Sequence, residues 1–193
     1  YKRRHLIELF EVIKNNINLG RVFILSFTLR LFFAVMVLYT PLYLHENLGF
    51  SWKTIGIVLT IMLAPYVLFE LPAGKIADRY AGEKEMIIVG LFIMSVFTGL
   101  MFFISSTSVI LWTIILFMTR IGAALLESMH EVYFFKIVKR EDVDLINLFR
   151  DTHPAGWLIG SAFSVIILKL FPIHYLFLFF AIFHPLNIIA DFW

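Results

Sequence analysis

Long apolar blocks separated by short polar stretches dominate the pattern along this chain, and block length carries more information than any alternation within a block. About 20 mainly apolar residues are what a helix needs to cross the hydrocarbon layer, where no water satisfies an open backbone. Six blocks meet that need, at about 22–44, 55–72, 86–104, 109–137, 155–171 and 173–189. The opening segment differs. In "YKRRHLIELFEVIKNN" charged and apolar residues intermix, and no uninterrupted hydrophobic run or small-residue cleavage site marks a signal peptide. Leu6, Ile7, Phe10 and Ile13 recur at helical spacing, which predicts a short interfacial helix. The pattern therefore predicts an all-α integral membrane protein, with an amphipathic lead-in over 1–21 and six transmembrane helices over 22–193.

Composition agrees with the pattern. Hydrophobic residues make up 61%, charged residues only 16%, and mean hydropathy is +0.89, against about 45–50% apolar and 25% charged in soluble domains. One soluble core of this length cannot cover so much apolar surface, so lipid must. The basic residues then set orientation. They gather at 2–21, 75–84 and 136–150, whereas the opposite side receives only Lys53 and Lys169. Basic enrichment of cytoplasmic loops predicts that both ends of this segment are cytoplasmic, in a plasma or inner membrane. A net charge of +2 spread along one membrane face gives no sign of nucleic-acid binding. The absence of Cys removes thiol catalysis and disulfides, and the absence of a GxxxxGK[ST] loop removes direct ATP hydrolysis. No cofactor is expected, and an ion or solute gradient is left as the energy source.

"ELPAGKIADRY" interrupts the apolar pattern between the second and third blocks. Pro72 and Gly74 permit the helix to end, and Gly74 also allows close helix approach. Asp78 and Arg79 supply charges for a helix terminus or a neighbouring opposite charge, and Glu70 is either a partner for Arg79 or Arg120 or an acid at the membrane edge. Gly74, Asp78 and Arg79, followed by Gly82 and Lys84, resemble the signature loop of the major facilitator superfamily: Gly, three residues, Asp-Arg, one residue, Gly, then basic residues. Here Tyr80 and Ala81 stand where the family usually has one residue, and Glu83 where a base is common. "TRIGAALLES" resembles the family's fourth-helix pattern, and a charged loop, "KIVKREDVDLINLFRD", leads to a Gly-rich fifth helix, "PAGWLIGSAFS". The resemblance implies one six-helix half of a transporter whose halves rock to expose a central cavity alternately to each side. The basic lead-in, similar to the end of an inter-half linker, and the altered loop point to the C-terminal half.

Charges inside the spans are the candidates for chemistry, because one at a span centre costs about 2.5–3.5 kcal/mol on insertion scales and so faces a cavity or a partner. Arg30 lies about eight residues into the first span, which requires a water-filled cavity or an acid. At about 100° per residue, Glu127 and Glu131 each lie about 20° from Arg120 on either side, so the three share one stripe of the fourth helix with Ala123 and Ala124. Such a stripe could bind a polar solute at Arg120 and relay protons or gate at Glu127; alternatively Glu127 and Glu131 pair with Arg79 or loop bases. "HEVYF" carries half of a zinc-protease motif, with Phe134 where the second His would stand, so His130 reads as a packing residue. His184 is a titratable candidate for the transport path, or a residue at a kink beside Pro185. Gly156, Gly160 and Ser164 form a small-residue face for close packing. Pro65 marks a break or a kink in the second span.

The function expected is secondary active transport of a small solute by alternating access, not enzymatic catalysis. The expected partners are that solute, a coupling proton or other ion, the lipid bilayer, and the other half of the chain or a second copy. The alternatives are a homodimerising six-helix transporter and a transport-inactive membrane scaffold or sensor.

Overall fold

Seven α-helices succeed one another in the described residues: α1 (Leu6–Asn15), α2 (Ile17–Glu46), α3 (Trp52–Ile76), α4 (Glu83–Phe103), α5 (Val109–Ile137), α6 (Val143–Leu170) and α7 (His174–Phe192). The computed structural model describes residues 6–77, 82–139 and 141–192, with 70, 71, 73, 75, 76, 184 and 186–192 in backbone only. Helices α2 to α6 are each long and apolar enough to cross a bilayer, and α7 is a shorter apolar helix over His174–Phe183. The result is an all-α, six-helix membrane bundle preceded by the amphipathic α1.

Local chemistry sets several ends. The Asn16 side chain accepts a hydrogen bond from the Leu19 amide at 3.2 Å and starts α2 five residues before the apolar block. Ser108 caps α5 in the same way through the Leu111 amide. Gly82, which opens α4, has φ of 76°, a left-handed value that L side chains rarely adopt.

Two expected boundaries are wrong. Pro72 and Gly74 do not end the second membrane helix, because α3 runs through Pro65 and Pro72 to Ile76. A proline removes only its own N–H, so the helix loses one bond at each and continues. The segment "KIVKREDVDLINLFRD" is not a loop either: α5 extends to Ile137, and α6 begins at Val143. Leu145 and Phe149, one turn apart, are buried in a small core with Leu9, Leu19, Val22, Phe134 and Val138. Phe149 stacks on Phe134 at 3.8 Å between centroids, while Glu141, Asn147 and Arg150 stay exposed. Helical amphipathicity, hidden by the density of charges, converts the expected loop into three further turns of helix.

The main core lies on α2 and α5, the most buried helices; α3 and α6 leave most of their surface open. Close backbone approach holds the pairs together. A Cβ added at Gly122 on α5 would lie 2.5 Å from the Gly90 carbonyl oxygen and the Met94 amide nitrogen on α4. On α6, Gly156, Gly160 and Ser164 are buried, and an added Cβ would meet α2 at 2.6 Å for Gly156 and 3.1 Å for Gly160. Ser26 of α2 and Thr152 of α6 also hydrogen-bond at 2.8 Å.

Candidate functional site

Arg30 is buried on α2 with its side chain directed at α5. Its Nη1 donates to the Glu127 carboxylate, and Nη2 lies 3.4 Å from Glu131 Oε1. Glu127 and Glu131 stand four residues apart, on neighbouring turns of one helix face, so a single planar guanidinium reaches both. Gly156 permits this arrangement from the other side, since α6 rests directly on the Arg30 Cβ with no side chain between. The acid that the depth of Arg30 requires is therefore supplied by α5.

Arg120 occupies a different environment two turns along α5. It is 3% exposed, and among the described residues no carboxylate pairs with it. Its guanidinium carbon sits 5.4 Å from the Phe33 ring centroid, and that of Arg30 sits 5.8 Å from the same ring. Phe33 follows Arg30 by three residues and shares its face of α2, so one aromatic ring serves two cations. From α3, the Tyr66 ring lies 6.4 Å from that of Phe33, and its phenol is within electrostatic reach of Arg120, Glu127 and Arg30.

A cleft of about 270 Å³ opens beside this cluster, lined by Tyr66, Glu127, Ser128 and Glu131. A second, of about 520 Å³, shares Ser128 and Glu131 and extends past Gly74 to Lys136. The largest groove described, about 760 Å³ between α1, α2 and α6, is mainly apolar and contains none of the charged cluster. Volume and chemistry thus separate here. The buried charges, not the larger volume, identify the functional candidate.

At the end of the bundle where α3 leads into α4, Lys136 of α5 pairs with Glu83 of α4, and the Lys84 ammonium lies 5.5 Å from the Tyr133 ring centroid. Gly82, just before α4, has a positive φ, and its amide donates to the Ala77 carbonyl at 3.0 Å. Asp78 and Arg79 lie outside the described residues, as do the side chains of Glu70 and His184. His130 is fully buried, its Nδ1 3.1 Å from the Leu126 carbonyl and its ring 5.7 Å from that of Phe149.

Arg30, Glu127 and Glu131 thus come together, with Arg120 joined to them through Phe33 and Tyr66. Sequence reasoning missed Phe33, Tyr66, Ser128 and His153, which lies on α6 within electrostatic reach of Arg30 and Glu127. Phe33 had a usable signal, an aromatic residue three positions from an intramembrane Arg. Tyr66 had none, because its role depends on how α3 lies against α5.

A family model for the Major Facilitator Superfamily matches residues 22–193. The chain belongs to the Major Facilitator Superfamily. No curated protein and no solved structure matches it significantly. Membership makes this six-helix bundle part of a membrane transporter, and within that superfamily unit the charged cluster occupies the contact of α2 with α5, flanked by α3 and α6.

Proposed function

We propose that this chain forms one half of a secondary transporter, moving a small solute by alternating access on an ion or solute gradient. The carrying observation is the Arg30–Glu127 ion pair, set deep between α2 and α5 beside an open cleft. Isolated charges are costly in a span, and a pair that can exchange partners with solute or proton stabilises more than one arrangement. In this reading Arg30, Arg120 and Glu127, with His184, line the path, and Glu127 takes the coupling proton. Glu131, Glu70 and the signature-loop residues Gly74, Asp78, Arg79 and Gly82 form a cytoplasmic gate. The second half, from the same chain or a second copy, closes the path in the bilayer, and both ends of this segment are cytoplasmic. Residues 1–21 are the lead-in to the bundle.

Ser128 offers the test, since it lines both clefts and the sequence contains no Cys. In the intact protein, Ser128→Cys is exposed to a membrane-impermeant maleimide from either side of sealed vesicles. Alternating access predicts labelling from both sides, in a ratio that changes when Arg30→Ala is added. Labelling from one side only, indifferent to Arg30→Ala and Glu127→Gln, would exclude the mechanism and favour a static scaffold.

A further inference from the structure

We infer that the solute is a monoanion, a carboxylate on an apolar body, and that Arg120 is its anchor. The inference rests on the transport reading and adds the substrate class to it. Its basis is the unequal treatment of two neighbouring cations. Arg30 has two carboxylates within reach, while Arg120, 3% exposed, has none among the described residues and lies against the Phe33 ring, within electrostatic reach of the Tyr66 phenol. An unpaired buried cation is unfavourable, and an arriving anion removes that penalty.

Valence and shape follow from the same geometry. Among the described residues one cation is left without a carboxylate and matches one negative charge; a phosphate dianion needs a second, and Arg30 is paired with Glu127 and Glu131 in this arrangement, before any exchange of partners. A guanidinium presents its N–H groups as a planar fork, which two carboxylate oxygens match. The Phe33 ring beside it and the Tyr66 ring 6.4 Å from Phe33 provide apolar surface for the rest of the solute. Tyr66 lines the open cleft and also lies within electrostatic reach of Arg120, so the cleft and the cation share this one side chain.

The test uses the intact protein in detergent with three probes: benzoate, the neutral benzamide of the same shape, and inorganic phosphate. Benzoate is expected to raise the unfolding temperature and to bind saturably by calorimetry, benzamide and phosphate to do neither. Arg120→Gln should weaken benzoate roughly ten- to a hundredfold, the range for losing a hydrogen-bonded charge partner. Arg120→Lys, which keeps the charge and loses the fork, should fall between. Because Arg120→Gln removes a buried cation, its elution as a single species is checked first; if it misfolds, Arg120→Lys and the probe series decide. Equal binding of benzamide and benzoate, no binding of benzoate by the wild type, or benzoate binding undiminished in the Arg120 variants would overturn the inference. Failure here with two-sided labelling of Ser128→Cys intact removes the anion and leaves transport standing. Benzoate binding with one-sided labelling does the reverse.

Discussion

Gly156→Ala tests whether backbone contact between α2 and α6 sets the position of Arg30. The new methyl carbon would lie 2.6 Å from the Arg30 Cβ, 3.1 Å from the Phe27 carbonyl oxygen and 3.2 Å from the Leu31 nitrogen. Carbon–carbon contacts relax at about 3.5–4.0 Å, so the helices must part by roughly 1 Å. Two of the three opposing atoms belong to the α2 backbone and cannot rotate away. Overpacking of this kind costs about 1–3 kcal/mol, and the gain of Ala over Gly in a helix returns only about 0.5–1 kcal/mol. A net loss of about 1–2 kcal/mol should lower the unfolding temperature by roughly 2–8 °C for a chain of this size. Gly56→Ala is the control, because nothing lies within 4 Å of a Cβ there; it should be neutral or stabilising by up to about 1 kcal/mol. Thermal unfolding of both variants in one detergent, followed by tryptophan fluorescence, measures the difference. Equal stability of Gly156→Ala and wild type, or an equal loss in Gly56→Ala, would refute the close-contact argument.

Arg30→Ala should destabilise more than Glu127→Gln, by about 3 against 1 kcal/mol, because Glu131 remains 3.4 Å from Arg30 when Glu127 is neutral, whereas losing Arg30 leaves two acids facing each other. The same unfolding assay tests this, and the reverse order would show that Glu131 gives no support. Lys136→Ala should cost at most about 1 kcal/mol, since the Lys136 side chain is 55% exposed and its pair with Glu83 is open to screening; the difference should shrink at about 1 M salt. Benzoate should bind more weakly as pH rises, by up to about tenfold per pH unit if one proton accompanies it. A pH-independent affinity, or an unchanged slope in Glu127→Gln/Glu131→Gln, would remove proton coupling.

The membrane class, the six spans and the family were legible because each rests on short-range pattern: block length, the basic asymmetry and the spacing of Gly74, Asp78, Arg79 and Gly82. The stripe of Arg120, Glu127 and Glu131 was legible for the same reason, since helical periodicity alone aligns it. Which charges meet was not. Arg30 and Glu127 are 97 residues apart in the chain, and they meet only through tertiary packing, where Gly156 lets α6 approach α2 closely. The first turns of α6 were hidden by a related effect. Leu145 and Phe149 are only two apolar positions among many charges, and they become decisive because Phe134 and Leu9 wait opposite them.

Among the described residues the cluster contains two acids and two bases, and their charge balance bears on the proposed transport reading. Among the described residues Arg30 and Arg120 against Glu127 and Glu131 sum to zero: Arg30 with its two acids carries a net −1, and Arg120 carries +1. Among the described residues Tyr66 on α3, His130 on α5 and His153 on α6 are further titratable groups within electrostatic reach of it, and neutral forms of all three leave the balance unchanged. A monoanion settling on Arg120 would bring the whole to −1 in a medium that penalises net charge. One proton on Glu127 or Glu131 would restore neutrality and also loosen the hold of α5 on Arg30. On the proposed reading, the ion pair between α2 and α5 would be weakened by the event that fills the site, which would couple occupancy to helix release through a single shared charge.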